Sequence, residues 1–159
     1  MRIGIGFDIH RLVSGRDLIL GGVQLPSAKG LAGHSDSDVL LHALSDALLG
    51  AVGAGDLGSF FPDTDPRWRN ASSRIFVKKA LGLVTKGGWT LANVDLVVVT
   101  EAPKLAPHRQ AVVRSVARLL SVPPARVNLK AKTMEGLGEI GRGKAMASYA
   151  VVLLEKKAR

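Results

Sequence analysis

Cysteine is absent from all 159 residues, which excludes disulfides and leaves any metal to nitrogen and oxygen ligands. Aromatic residues are scarce, at two Trp, one Tyr and four Phe, too few and too scattered for a platform on which bases stack. No run of about eighteen apolar residues is present, so a membrane span is not expected. Linkers and internal repeats are also missing. With 47% hydrophobic and 22% charged residues, the chain suits one domain over residues 1–159 with a sizeable core. Acidic residues are in deficit, 13 against 22 Lys and Arg, giving a net charge of +9. That balance favours an anionic partner, and the sparse aromatics favour a small phosphorylated ligand over nucleic acid. Lys156-Lys157-Ala158-Arg159 reads as a solvated tail. Met1-Arg2-Ile3-Gly4 enters a strand directly, without the pattern of a signal or transit peptide, so a bacterial-type cytoplasmic location is expected.

The chemistry that is present gathers early. In Arg2 to His10 the apolar Ile3, Ile5, Phe7 and Ile9 alternate with Gly4, Gly6, Asp8 and His10, the period of a half-buried strand. Asp8 and His10 therefore share a face, beside two glycines that leave room for a bulky ligand. His42 follows on an expected helix running to about Leu49, capped by Asp36 or Ser37. One carboxylate and two imidazoles suit zinc, and three protein ligands leave one position open, as in catalytic sites. Asp38, His42 and Asp46 are four apart, so either carboxylate is a candidate to orient the imidazole. His42, flanked by Leu40, Leu41 and Leu44, reads also as a core histidine on an apolar helix.

Further on, Gly21-Gly22 reads as a hairpin turn and Pro26 to Gly33 as a loop. Phe60-Phe61-Pro62-Asp63-Thr64-Asp65-Pro66 reads as a rigid binding loop, stiffened by its two prolines. Helices are predicted from Ser72 or Ser73 to near Gly87 and from Pro107 to about Ser121. Strands are predicted over Val94–Thr100, Val127–Lys132 and Ala145–Leu154. The alternation predicts a two-layer α/β (α+β) domain with helices packed on a sheet. The glycine-rich stretch Thr133 to Gly143 is a candidate phosphate cradle, although no Gly-Lys-Ser/Thr ends it as in a P-loop. Thr133 offers a hydroxyl to phosphate, Glu135 a carboxylate to a hard cation such as magnesium, and Lys104 and Lys132 positive charge.

Together these pieces resemble the 2-C-methyl-D-erythritol 2,4-cyclodiphosphate synthase family. The resemblance is carried by Gly6-Phe7-Asp8-Ile9-His10, Gly21-Gly22-Val23, His34 to Ala43, Gly55-Asp56-Leu57-Gly58, Phe61 to Pro66, Ala102-Pro103-Lys104-Leu105, Lys130 to Glu135 and Gly141-Arg142-Gly143. These appear in the family's order and cover essentially the whole chain. The resemblance implies a homotrimer with sites between subunits, helices on one face of a mixed sheet, and closure of a cyclic diphosphate with release of CMP. It implies zinc on Asp8, His10 and His42, and magnesium or manganese on Glu135. His34 and Thr133 match positions that stabilise the transition state. Ser35, Asp56, Leu57, Gly58, Phe61, Pro62, Asp63, Thr64 and Asp65 match the grip on the methylerythritol phosphate. Thr100, Glu101, Ala102, Pro103, Lys104, Leu105 and Ala106 match the cytidine pocket. Lys132, Met134, Glu139 and Arg142 complete the expected substrate contacts, together with Asp8 and His10 themselves. Glu139, Lys144 and Tyr149 depart from residues that some members carry near the trimer axis, whereas Arg142 is kept. Two other readings remain: a binding module without catalysis, and a zinc hydrolase with Asp46 or Asp56 as base.

Overall fold

A computed structural model describes residues 1–157; of the predicted tail, Ala158 and Arg159 lie outside the described residues. The strands are β1 (Arg2–Ser14), β2 (Leu18–Leu20), β3 (Val23–Leu25), β4 (Lys29–Leu31), β5 (Trp89–Val99), β6 (Val127–Lys132) and β7 (Ala145–Lys156). The helices are α1 (Val39–Val52), α2 (Leu57–Phe60), α3 (Arg74–Lys86), α4 (Arg109–Leu120) and α5 (Gly138–Gly141). Five strands form one sheet in the order β4-β1-β7-β5-β6, mixed because β5 and β6 run parallel while the other pairs are antiparallel. β2 and β3 form a separate hairpin whose turn, Gly21-Gly22, has both residues at positive φ. The segment expected as a plain loop before His34 contains β4, which extends the sheet beside the far end of β1. This is a single-domain α+β fold with its helices on one face of the sheet; the alternation predicted helices packed on a sheet, and the resemblance implied the single face.

α1 is the central helix. Leu40, Leu41, Leu44 and Leu48 are fully buried, and so is most of the rest of the helix. Its N-cap is Asp38 rather than Asp36 or Ser37, and it ends at Val52 against Gly53 in the left-handed conformation. The Asp38 carboxylate accepts from Leu41 N within the helix and from Gly21 N and Gly22 N of the hairpin turn. A helix cap thus also fastens β2 and β3 onto the core. Burial pushes the Asp38 carboxyl up to about 6, against the three amide donors that favour its charged form.

The expected role of the two β1 glycines is corrected by the packing. A Cβ on Gly4 would lie 1.9 Å from the Ala47 carbonyl oxygen, and one on Gly6 would lie 1.9 Å from that of Ala43. The space is filled by the backbone of α1, not kept for a ligand. The glycine face of β1 is therefore the buried one. Ile3 and Ile5 are 71% and 69% exposed, and Phe7 and Ile9 are also exposed on the opposite face. Phe7 stacks at 4.8 Å on exposed Tyr149, its partner in register on β7. The alternation gave the period correctly, but in this chain its apolar half faces outward.

Candidate metal centre and substrate cavity

β1 carries Asp8 and His10 on its helix-facing side, and the close seating of α1 brings His42 to meet them. Asp8 Oδ2 lies 2.9 Å from His10 Nε2 and 2.9 Å from His42 Nδ1, and the two ring nitrogens are 3.1 Å apart. All three ligand atoms fall within 4.8 Å of one another, a group able to hold a metal ion. Burial raises the Asp8 carboxyl, but hydrogen bonds and charge from His10 and His42 outweigh it and hold the group well below the usual carboxylate range. Burial depresses His10, yet the Asp8 carboxylate beside it and a hydrogen bond to the Ala32 backbone lift it overall.

Neither carboxylate expected to orient His42 does so. Asp38 serves the hairpin, and Asp46 accepts from Leu57 N at 2.6 Å, seating α2. Both stand at helical spacing from His42, but helical spacing also lets an acid bond a neighbouring backbone instead. His42 Nε2 is held by Ser73 Oγ at 2.8 Å and Ser35 Oγ at 3.2 Å. The Ser73 hydroxyl donates in turn to Asp36 Oδ1. With that proton committed, Ser73 Oγ is left to accept from His42 Nε2–H. The Nδ1 lone pair then faces Asp8 Oδ2 at 2.9 Å, an arrangement favoured with a cation between them, whereas without one Nδ1–H would donate to that carboxylate. Three electron-rich atoms converging on one point fit a bound cation.

Next to the triad lies a cavity of about 490 Å³. His10 and His42 form its floor, with Gly33, His34 and Ser35 on one side. Leu57, Gly58, Phe61, Pro62 and Asp63 form another, and Trp68 and Phe76 close the back. His34 is anchored through Nε2 to the Asp65 carbonyl at 3.2 Å. Arg16 pins the same loop by donating to the carbonyls of Gly33 and Ser35. Asp56 caps α2 through Ser59 N, and Asp65 accepts from Arg67. Asp46 and Asp56 are thus both engaged away from the triad. Trp68, Phe76, Ser73 and Asp36 were not singled out for the site. Phe76 and Trp68 meet Phe61 at 4.4 and 4.9 Å, pairings that only the folded chain creates.

The other expected residues gather elsewhere. Asp8, Ser148, Val98 and Ala131 stand in one row across β1, β7, β5 and β6, so Ala131 is three strand spacings, about 14 Å, from Asp8. Just beyond Ala131, Thr133 donates to Glu135 Oε1 at 2.5 Å, and Glu101 Oε1 accepts from Met134 N at 2.8 Å. Thr100 Oγ1 donates to the Ala102 carbonyl, and the Ala102–Pro103 peptide is cis. Leu105, Ala106 and Lys132 line a second cavity of about 460 Å³ with Arg109, Asn128 and Leu129. Glu139 is exposed and pairs with Arg142 at 3.0 Å and Lys144 at 3.2 Å, outside both cavities. Within one chain, then, the structure joins Asp8, His10, His34, Ser35 and His42. It keeps Thr133 and Glu135 apart from them.

A small α+β domain that sets a carboxylate–bis-imidazole group beside a cavity lined by its two imidazoles has the form of a metal-assisted enzyme of small substrates. The YgbB family model matches residues 1–155, and the chain belongs to that family. It is 54% identical over 157 residues to the 2-C-methyl-D-erythritol 2,4-cyclodiphosphate synthase of Geobacter sulfurreducens, covering 99% of this chain and 100% of the relative. Identity to the synthase of the same name from Gloeobacter violaceus is 56% over 156 residues, covering 98% and 96%. A solved CDP-bound form of 2C-methyl-D-erythritol-2,4-cyclodiphosphate synthase superposes with a TM-score of 0.90 at 48% identity, over 97% of this chain and 100% of that one. The bifunctional IspDF from Campylobacter jejuni superposes at 0.94 with 43% identity, and there this chain spans 42% of the longer protein.

Proposed function

We propose that this protein converts 4-diphosphocytidyl-2-C-methyl-D-erythritol 2-phosphate to 2-C-methyl-D-erythritol 2,4-cyclodiphosphate and CMP, a lyase reaction of isoprenoid precursor synthesis. The observation that carries this reading is the convergence of Asp8, His10 and His42 beside a 490 Å³ cavity that His10 and His42 help to line, in a chain related end to end to synthases of that name. A 2-phosphate oxygen bonds to the β-phosphorus. The bond from that phosphorus to the oxygen bridging the α-phosphate breaks, and that oxygen leaves on CMP.

Such a transfer asks the protein mainly to position its reactants and stabilise charge. Asp8, His10 and His42 would hold zinc, and zinc bound there supplies a Lewis acid for a phosphoryl oxygen. His34, anchored on Asp65, is assigned to charge developing on the phosphoryl oxygens. Ser35, Asp56 to Gly58 and Phe61 to Asp65 grip the methylerythritol phosphate. The apolar wall of Phe61, Trp68 and Phe76 keeps water from competing with the 2-phosphate as nucleophile. Thr100 to Ala106 and Lys132 take the cytidine and its phosphates at the second cavity, while Thr133, Met134 and Glu135 address the diphosphate. Glu135 would hold magnesium or manganese. Glu139 and Arg142, already paired with each other, stand at the margin of that arrangement.

The two sets of residues lie on opposite sides of the sheet's width, so we further propose a homotrimer in which one subunit's triad faces its neighbour's Thr133 and Glu135. The exposed apolar row of Ile3, Ile5, Phe7 and Ile9 supports this assembly, since it is the surface that a second copy would cover. Residues 1–159 act as one unit, and the enzyme works in the cytoplasm without nucleic acid or membrane. Among the described residues no helix is long and apolar enough to cross a membrane.

Phosphorus NMR of the protein with the diphosphocytidyl substrate and magnesium, before and after chelation, tests the reaction. Cyclic diphosphate appearing together with CMP, and lost on chelation, is the expected result. CMP with a linear product would replace cyclisation by hydrolysis, and an unchanged spectrum from metallated protein would leave only a binding module.

A further inference from the structure

Ser73 sits at the start of α3 and Asp36 in the loop before α1, 37 positions apart in sequence, yet they form one buried arm behind His42. Asp36 is itself fixed from several sides: Oδ2 accepts from Ser73 N at 3.0 Å, Oδ1 accepts from Asp38 N at 3.3 Å, and its own N–H donates to the Ala71 carbonyl at 3.0 Å. Ser73 is fully buried. A carboxylate only accepts, whereas a hydroxyl donates one proton and accepts with its lone pairs. Once Ser73 gives its proton to Asp36, the one role left to its oxygen toward His42 Nε2 is acceptor. Ser35, the other neighbour of Nε2, carries no such constraint. Its oxygen already accepts from Ser37 N at 3.0 Å, and its proton is free to turn either way. The pull of a proton to Nε2 therefore rests with Asp36, acting through Ser73, and it opposes Asp8 Oδ2, which lies 2.9 Å from Nδ1 and accepts there when no cation is bound.

We infer that Ser73 and Asp36 are positioning residues. They hold His42 as the Nε2–H tautomer, so that its Nδ1 lone pair points at Asp8 and His10. The metal half of this inference rests on the function proposed above; the tautomer half does not. Outer partners of this kind commonly account for about 10–100-fold in metal affinity without touching the ion. Neither residue reaches the cavity lining, so a change in either acts on the substrate only through His42.

The test uses the full-length protein and two variants. Ser73→Ala removes one oxygen, and Asp36→Leu keeps the bulk while leaving the Ser73 hydroxyl no acceptor at that position. Long-range proton–nitrogen NMR of the metal-free proteins, above the range in which histidines titrate, reports the His42 tautomer directly. Competition with a chromogenic chelator reports zinc affinity. The wild type should hold a larger Nε2–H share than either variant; both variants should shift toward Nδ1–H, where Asp8 accepts, and bind zinc about 10–100-fold more weakly. Ser73→Thr, which keeps the hydroxyl, should restore both. In turnover the variants should lose kcat with KM little changed, and added zinc should recover the rate. A His42 tautomer unchanged in both folded variants would overturn the inference. So would a wild type no richer in Nε2–H than the variants. Wild type with the Nε2–H tautomer but no zinc affinity would support the positioning arm and overturn the metal reading instead.

Discussion

The two clusters assigned to one reaction are built differently. Around His42 both ring nitrogens have buried or half-buried partners: Asp8 and His10 on one side of the ring, Ser35 and Ser73, backed by Asp36, on the other. Around Glu135 the residues are exposed, and Thr133 and Glu135 satisfy each other. The first cluster is preorganised by a single chain. The second is an edge waiting for a surface, because a carboxylate free to turn in water gains little from holding one geometry. The contrast fits the proposed trimer, in which a neighbouring subunit would supply what the Glu135 region lacks, and it sets the scale of the following experiments.

The largest effect should come from separating the clusters onto different chains. His42→Ala should lose zinc and turnover while remaining folded, and Thr133→Ala should lose turnover with zinc retained. When the two inactive proteins are mixed and allowed to exchange subunits, activity should return to about one quarter of the sites, the share that draws each intact cluster from a different chain. No recovery in demonstrably mixed oligomers would place both clusters in one chain's site. Phe7→Asp comes next. It puts a charge into the exposed apolar row, so sedimentation should show monomers that retain zinc yet turn over poorly. An oligomer surviving that change would move the subunit contact elsewhere.

Asp38→Asn probes the rigid side. An amide cannot accept from three backbone donors as a carboxylate does, so a loss of about 1–3 kcal/mol is expected in denaturant unfolding. Its pH dependence has a definite sign. The folded value, lifted from 3.8 to about 6, favours the neutral acid, so Asp38 stabilises most below its unfolded value and that contribution declines as pH rises through 6. The gap between wild type and variant should therefore narrow from pH 3.8 to 6. A widening gap would mean that the amide donors outweigh burial. Glu135→Gln should have the smallest effect on the protein itself. Zinc content and melting should stay as in wild type, and only the magnesium concentration needed for turnover should rise. An unchanged magnesium dependence would remove Glu135 from its proposed role.

Much of this was legible in the sequence, for physical reasons. Periodicity showed that Asp8 and His10 share a face, and the helical pattern after His34 delivered His42; both are local rules of strand and helix. The face of β1 that is buried was not legible. Deciding it requires knowing that α1 approaches closely enough to touch backbone, and Gly4 and Gly6 read equally well as open space. The partners of His42 failed for a related reason. Spacing singled out Asp38 and Asp46 on its own helix, whereas Ser73 arrives from α3 by a tertiary contact that no local period reports. Ser73 was visible only as a helix start, and Asp36 only as a candidate cap for α1, a role that Asp38 takes instead.

The seating of α1 on the two glycines of β1 also decides where the protein can vary. A strand that gives up two side chains so that a helix can rest on its backbone turns helix height into a fixed length, and that length sets how far His42 reaches toward Asp8 and His10. Alanine at Gly6 touches no ligand and changes no charge. Its methyl group would nevertheless lift the helix and spread the three ligand atoms. The tolerance of the metal centre is thus set partly by residues with no functional group at all, and a survey of viable variants should find those two positions as restricted as the histidines.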